Sequence, residues 1–185
     1  MIFIKAGILT ASDRSAKGQR RDESGELLKA LVAGLPAEVI AYQVVPDNKS
    51  TLRETLCHMA DVLHCDLVLT TGGTGLGPRD HTPEATLDVV EKEVPGIAEA
   101  LRASSLGKTP LAMLSRARAG IRGSTLIVNL PGSPSAVQDA FAVLRLVLPH
   151  ALALLGGTVR DCKEARDQTW KQSSHTPSLS SHLHF

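Results

Sequence analysis

The sequence predicts a single α/β domain with three layers, in which helices cover both faces of a mostly parallel sheet. Two observations lead to this fold class. Short apolar, β-branched segments alternate with helical patterns of ten residues or more, and connections of that length favour right-handed crossovers between parallel strands. The chain of 185 residues is as long as one ordinary domain, and its hydrophobic content of 43 % provides a sizeable core. We expect residues 1–157 to form this domain.

Strands and helices alternate through the first half of the chain. Residues 2–12 are apolar and then small and polar, which predicts a buried strand that runs into a loop. Residues 22–34 begin with acidic residues and end in glycine, as helices often do. Residues 38–45 predict a second strand, and Thr51 with Glu54 predicts a capping box at the start of a second helix.

The second half continues the alternation. Residues 66–71 predict a third strand, and Thr82, followed by a proline, predicts the N-cap of the next helix. A Pro-Gly pair at residues 95–96 ends that helix, and another helix begins nearby. Residues 124–129 predict a further strand, and residues 136–155 predict a long apolar helix that an internal proline kinks.

The end of the chain lacks an apolar period. Residues 158–185 are polar and rich in Ser and His, which predicts a flexible tail that can be removed with little loss of stability or activity. Its three histidines could bind a metal adventitiously, but a solvated end is the favoured interpretation.

Composition argues against several classes of function. A net charge of +1 lacks the basic excess of nucleic-acid-binding proteins, and 3 % aromatic residues are too few to stack single-stranded bases. No apolar run approaches the roughly 18 residues of a membrane span, and the first residues lack the pattern of a signal peptide. We therefore expect no nucleic acid, no membrane and a cytoplasmic protein, with its three cysteines reduced.

A cluster of metal-ligating residue types lies between Cys57 and Cys65. If this segment is helical, His58, Asp61 and Cys65 share one face, and a transition-metal site is conceivable. Buried cysteines and surface histidines on an amphipathic helix explain the same residues and are the favoured interpretation.

Three loops follow the predicted strands, at residues 46–48, 72–80 and 129–134, and all are rich in Gly, Pro, Asp or Asn. Ligands of parallel sheets bind at the carboxyl ends of the strands, so these loops are the candidate site. The run Gly-Gly-Thr-Gly-Leu-Gly at residues 72–77 is either a tight turn or a phosphate cradle. Two standard phosphate fingerprints both fail, because Pro78 stands where each requires glycine.

Two aspartates make a magnesium site plausible. A carboxylate at Asp80, beside an anion held by the glycines, would repel that anion unless a cation lay between them. Mg²⁺ suits this role because it takes one or two carboxylates together with phosphate oxygens of the substrate, and Asp47 is the natural second carboxylate. Asp47 is otherwise a turn residue, and Arg79 either offsets charge or pairs with an acidic neighbour.

At these residues the sequence resembles a known family, the molybdopterin adenylyltransferases, whose domain also forms the amino-terminal domain of gephyrin. The motif is Thr-Thr-Gly-Gly-Thr-Gly-x-x-x-Arg-Asp-x-Thr-Pro-Glu at residues 70–84. The other matching blocks are residues 8–13, 45–47, 109–116, 120–127 and 129–133, in order. The resemblance covers about residues 4–157.

The resemblance implies a reaction and a set of site residues. The terminal phosphate of molybdopterin attacks the α-phosphate of Mg-ATP, giving adenylylated molybdopterin and pyrophosphate. The catalytic, magnesium-associated positions of the family fall on Asp47 and Asp80, and Ser115 is a third catalytic position. The positions that bind nucleotide or molybdopterin fall on Ser12, Asp13, Gly72, Gly73, Thr74, Gly75, Asn129, Pro131 and Gly132.

Some implications of the resemblance leave alternatives open. Asn48 follows Asp47 where Glu is frequent in the family, which alters the local charge. Ser115 is otherwise a helix cap, and Asn129 otherwise closes a strand through its side-chain amide. The family also implies a homotrimer and a separate molybdenum insertase protein. A gephyrin-like, non-catalytic trimeric scaffold is the alternative function, against which both aspartates argue.

Overall fold

The computed structural model describes residues 3–158, which form a six-stranded sheet in the order β2-β1-β3-β6-β5-β4. Strands β1, β2, β3 and β6 are parallel, whereas β5 is antiparallel to β6, and β4 to β5. The predicted mostly parallel α/β fold is therefore confirmed. The strands are β1 Ile4–Ala11, β2 Ala37–Val45, β3 Leu67–Thr71, β4 Lys92–Glu93, β5 Ala119–Arg122 and β6 Thr125–Leu130.

Seven α-helices connect or flank these strands in the described part of the chain. They are α1 Asp13–Ala16, α2 Glu23–Val32, α3 Lys49–Cys57, α4 Thr82–Val89, α5 Pro95–Leu106, α6 Pro134–Leu144 and α7 Leu148–Leu155. A π turn at His58–Val62 extends α3, and a 3₁₀ helix at Pro110–Leu114 follows α5.

Two cores lie on opposite faces of the sheet because successive strand side chains point to opposite sides. In β1, Ile8 packs with α2, α5, α6 and α7, whereas the next residue, Leu9, packs with α3 and α4. Leu28, Leu101 and Phe141 represent the first core. This two-sided burial fixes the register of β1 and β3, and so the positions at which their carboxyl ends open into loops.

Two predicted helix caps are wrong by a few residues. Asn48, not Thr51, caps α3: its Oδ1 accepts a hydrogen bond from the Thr51 amide at 3.1 Å. Helix α4 is capped at His81 rather than at Thr82, whose hydroxyl instead donates to the Gly72 carbonyl at 2.9 Å. In the second case a tertiary contact replaces the local one.

The predicted long helix over residues 136–155 is two helices, α6 and α7, bent by 63°. The break precedes Pro149, which lies in the first turn of α7, where proline is tolerated. No single helix within residues 3–158 is long and apolar enough to cross a membrane. The bent pair passes that test only jointly, and its apolar residues Val137, Phe141 and Leu148 belong to the core.

The metal alternative for the segment between Cys57 and Cys65 is wrong. Within residues 3–158 no group of three or more His, Cys, Asp or Glu is arranged to hold a metal. Asp61 pairs with the Arg122 guanidinium at 2.9 and 2.6 Å. Burial raises the pKa of the Cys65 thiol to about 11, so the thiol stays protonated at neutral pH. The predicted tail, apart from its first residue, lies outside the described residues.

Candidate active site

Apart from Asn129, which lies within β6, and Ser115, which follows the 3₁₀ helix, the predicted site residues lie in loops that follow the carboxyl ends of the four parallel strands. Ser12 and Asp13 follow β1, Asp47 follows β2, the glycine loop at residues 72–77 follows β3, and Pro131 and Gly132 follow β6. The sheet thus brings together side chains that are up to about 120 residues apart in sequence.

The glycine loop requires glycine at its start. Gly72 and Gly73 adopt φ angles of 88° and 64°, which residues with side chains rarely adopt. A Cβ on Gly72 would lie 2.4 Å from the Ala11 carbonyl oxygen, and a Cβ on Gly132 would lie 3.3 Å from the Gly72 Cα. The first turn of α4 fixes the other side, because the Thr82 amide donates to the Gly73 carbonyl at 3.1 Å.

Asp13 and Asp47 are held by reciprocal hydrogen bonds between their loops. The Asp13 amide donates to Asp47 Oδ2 at 2.9 Å, and the Asp47 amide donates to Asp13 Oδ1 at 3.2 Å. Arg79 pairs with Asp13 Oδ1 at 2.7 Å and donates to the Asp47 carbonyl at 3.3 Å. The positions of these two aspartates are therefore fixed by the fold.

Burial raises the pKa of Asp47 above its usual value. The nearby carboxylates of Asp13 and Asp80 raise this pKa further, whereas the Asp13 amide and Arg79 oppose the shift. The surroundings of this half-buried carboxylate therefore disfavour its negative charge, which a bound cation would offset. The site is short of positive charge at the place where the sequence predicts Mg²⁺.

Asp80 lies against the glycine loop. Its Oδ2 accepts a hydrogen bond from the Gly77 amide at 2.8 Å, and a Cβ on Gly75 would come within 2.9 Å of the same oxygen. Two carboxylates with free lone pairs suit Mg²⁺, which needs only one or two of them beside waters and phosphate oxygens. The donor set of Asp47 and Asp80 therefore fits that ion.

Two cavities with no lining residue in common adjoin the glycine loop. An apolar cavity of about 300 Å³ includes Thr74, Leu101 and Pro131 in its lining. A polar cleft of about 330 Å³ is lined by Gly72, Gly73, Asp80, Gly132 and Ser12, among others. Such a pair of sites fits a ligand with a flat ring at one end and charged groups at the other.

Ser115 and Asn129 both line the apolar cavity. Ser115 ends the 3₁₀ helix, and its Oγ accepts a weak hydrogen bond from the Ala117 amide at 3.4 Å. Asn129 is fully buried; its Oδ1 accepts from the Arg118 amide at 3.1 Å. Its Nδ2 donates to Thr hydroxyls on β3 and α4 at 3.0 and 2.8 Å. The Asn129 amide thus joins β6 to three neighbours, and its role in binding stays a prediction.

We expect Asn129→Ala to lower the free energy of unfolding by about 2–4 kcal/mol, because the variant removes a fully buried amide and the hydrogen bonds that it donates to the buried hydroxyls of Thr70 and Thr86. Urea unfolding monitored by circular dichroism measures this. Asn48→Ala, which removes an exposed helix cap, is the control and should cost about 1 kcal/mol. Unchanged stability with loss of ligand binding would contradict the structural role of Asn129.

Arg116 is a site residue that the sequence reasoning did not single out. Its Nε donates to the Gly75 carbonyl at 2.7 Å, its Nη2 to the Asp80 carbonyl at 2.6 Å, and its amide to the Thr74 carbonyl at 2.9 Å. Nη1 pairs with Glu84 on α4. One guanidinium therefore fixes both ends of the loop that contains Asp80. The one indication in the sequence was that Arg116 ends the segment of residues 109–116, which resembles the family.

Comparison with known proteins identifies the family to which the chain belongs. Residues 7–150 match the family described as "Probable molybdopterin binding domain". The chain is 39 % identical over 174 residues to the molybdopterin adenylyltransferase of Helicobacter pylori J99, covering 92 % of this chain and 98 % of the relative. It is 40 % identical over 142 residues to that of Escherichia coli K12, covering 75 % of this chain and 72 % of the relative.

Solved structures agree with the sequence match. The molybdopterin biosynthesis enzyme MoaB from Thermus thermophilus superposes with a TM-score of 0.79 and 49 % identity, over 83 % of this chain and 97 % of that one. The tungsten cofactor synthesizing protein MoaB from Pyrococcus furiosus gives a TM-score of 0.75 and 34 % identity, over 84 % and 98 %. The resemblance seen in the motifs is confirmed, and the chain belongs to this family of molybdopterin binding domains.

Proposed function

We propose that the chain is a molybdopterin adenylyltransferase that transfers AMP from ATP to the terminal phosphate of molybdopterin. The observation that supports this most directly is the pair Asp47 and Asp80, in the loops that follow β2 and β3 on either side of β1, with the pKa of Asp47 raised by burial and by acidic neighbours. Relatives of nearly the same length bear that name. The glycine loop is then a nucleotide site rather than only a turn.

The chain's residues position the reactants rather than supply a nucleophile. An oxygen of the molybdopterin phosphate forms a bond to the α-phosphorus of ATP, the bond from that phosphorus to the α,β-bridging oxygen breaks, and pyrophosphate leaves with the electron pair. Mg²⁺, held by Asp47 and Asp80, neutralises phosphate charge when bound. Positioning and charge neutralisation are the main catalytic effects in such transfers. The apolar cavity with Ser115 and Asn129 receives a ring system, and the glycine loop adjoins the phosphates.

We also propose the finer properties that the family implies: a homotrimer in the cytoplasm, with residues 1–157 as the functional domain and metal insertion left to a separate insertase. Self-association is supported by exposed apolar side chains around the 3₁₀ helix, where Leu111 and Met113 are 69 % and 66 % exposed. Such a patch is unusual on a monomer's surface.

The decisive experiment incubates the purified protein with molybdopterin, ATP and Mg²⁺ and follows pyrophosphate release together with adenylylated product. Stoichiometric formation of both supports the enzyme. A trimer that binds molybdopterin but releases no pyrophosphate would support the scaffold instead. Chelation of Mg²⁺ by EDTA, followed by restoration with added Mg²⁺, distinguishes a metal requirement from protein damage.

We expect Arg116→Lys to slow AMP transfer about tenfold to a hundredfold, because the single nitrogen of lysine cannot replace the spaced Nε and Nη2 donors to the Gly75 and Asp80 carbonyls, and Asp80 shifts. The loss should fall mainly on kcat rather than on KM for ATP, as measured by steady-state kinetics. Arg118→Lys is the matched control, since Arg118 pairs with Glu93 at 3.4 Å, where both side chains are about half exposed. Equal activity of both variants would contradict the role of Arg116.

A further inference from the structure

Three arginines line the polar cleft beside the glycine loop: Arg14, Arg20 and Arg21. They come from the segment between β1 and α2, and all three are exposed. Within residues 3–158 none of their guanidinium groups forms an ion pair or a side-chain hydrogen bond. The arginines near the loop on its other sides, Arg79 and Arg116, are paired with carboxylates. The cleft therefore holds uncommitted positive charge.

The acidic residues of this cleft do not neutralise these arginines by contact. Asp22 is engaged elsewhere, since its Oδ1 accepts from the Gly25 amide at 3.0 Å and its Oδ2 from the Tyr42 hydroxyl at 2.7 Å. Glu23 lies in the exposed first turn of α2. Asp80 is proposed to hold Mg²⁺. Once that cation is bound, the charge balance of the cleft is positive and favours an anion.

The position of the cleft indicates which anion fits. The apolar cavity and the polar cleft both adjoin the glycine loop, through Thr74 and through Gly72 and Gly73, and share no lining residue; Asp80 lies in the cleft wall. A nucleotide whose ring end occupies the apolar cavity, and whose α-phosphate lies at the metal, has its remaining phosphates directed into the polar cleft. Guanidinium groups present a planar fork that matches phosphate oxygens with two hydrogen bonds.

We propose that Arg20 and Arg21, together with Arg14, bind the β- and γ-phosphates of ATP and hold the pyrophosphate as it leaves. This inference rests on the proposed function, and it assigns the triphosphate tail to a cleft distinct from the ring cavity. The shared chemistry is a phosphate oxyanion, of which the phosphate of molybdopterin is the other source. The nucleotide is favoured because it supplies two further phosphates and Asp80 lies in the same wall.

The test compares the affinities of ATP, AMP and inorganic pyrophosphate, each with Mg²⁺, by isothermal titration calorimetry on the full chain. We expect Arg20→Ala and Arg21→Ala each to weaken ATP binding about tenfold, and the double variant about a hundredfold. AMP should bind equally to all variants because it lacks both phosphates. Pyrophosphate should weaken in parallel with ATP. Arg21→Lys should recover part of the loss, since it restores charge but not the fork.

Lys17→Ala is the matched control, because Lys17 lies on the same exposed segment but not in the lining of the cleft. Its affinities should equal those of the unaltered chain, and melting temperatures should be alike throughout. Equal losses for ATP and AMP, or no loss for ATP, would overturn the inference while leaving the adenylyltransferase in place. Loss of molybdopterin binding with ATP affinity retained would assign the arginines to the other phosphate. Failure of the unaltered chain to bind ATP would overturn both proposals.

Discussion

Replacing Asp80 with asparagine should lower the rate of AMP transfer by about 10²–10³-fold while the protein stays folded. Asparagine keeps the size of the side chain and an oxygen that can accept from the Gly77 amide, which Asp80 does at 2.8 Å. It removes the negative charge by which Asp80 is proposed to hold Mg²⁺, and losing such a transition-state contact costs about 3–4 kcal/mol. Ground-state nucleotide should still bind, so the loss should appear in kcat.

Asp47→Asn should lower the rate of AMP transfer by a similar factor. The variant with both replacements shows whether the two carboxylates hold one shared ion or act independently. If both carboxylates hold the same Mg²⁺, the double variant should lose far less than the product of the single losses, as for groups that act as a unit. Asp88→Asn is the matched control, because Asp88 is an exposed residue of α4 paired with Lys49. Full activity of Asp80→Asn in a folded protein would contradict the mechanism.

The raised pKa of Asp47 also predicts how Asp47→Asn changes the stability of the protein. The pKa of Asp47 is raised in the folded protein, so the ionised carboxylate disfavours folding, and this penalty is present above the raised pKa and absent below the usual one. Asp47→Asn should therefore melt at the same temperature as the unaltered chain or higher at neutral pH, and the difference should shrink as the pH falls toward 4. A variant that is both inactive and less stable at neutral pH would contradict a purely functional role.

The parallel strands were largely predictable because each is a mainly apolar segment and helical patterns separate these segments in the sequence. Strand β3, Leu67–Thr71, is buried along its whole length, and such a run has few other interpretations. The antiparallel pair β4 and β5 was missed because Lys92–Glu93 is two exposed residues and Ala119–Arg122 only four. Strands that short contain no period, and only the pairing of β5 with β6 and of β4 with β5 makes them strands.

Only those candidate site residues that follow a predicted strand could be found from the sequence. Asp47 and Asp80 lie in loops after predicted strands, and ligands of parallel sheets bind at the carboxyl ends of the strands, so both were candidates. Arg116 and Arg20 follow no such rule: arginines occur on every surface, and their role depends on which carbonyls or cavities lie within reach. The N-cap position of α4, His81, was missed because the Thr82 hydroxyl bonds to Gly72, a partner ten residues earlier in the chain, and does not cap the helix.

The conformation of the glycine loop makes Gly72→Ala strongly destabilising. The φ angle of 88° costs a residue with a side chain about 1–3 kcal/mol. In addition, the new Cβ would lie 2.4 Å from the Ala11 carbonyl oxygen, a backbone atom of β1 that cannot rotate away. The total should be about 3 kcal/mol or more, which for a protein of this size lowers the melting temperature by about 6–12 °C.

Gly123→Ala measures the cost of the positive φ angle alone, without the close contact that a Cβ on Gly72 makes with Ala11. Gly123 also has a positive φ angle, 54°, but a Cβ there would meet nothing within 4 Å. Its variant should lose only about 1 kcal/mol and keep full AMP transfer, because it changes a hairpin turn between β5 and β6. Gly72→Ala should lose about a hundredfold in transfer rate even at a temperature where it is folded, since a shift of about 1 Å displaces the loop relative to Asp80. Equal melting temperatures for the two variants would show that β1 yields to the added Cβ, and the tight approach of the loop to Ala11 would then not fix the nucleotide site.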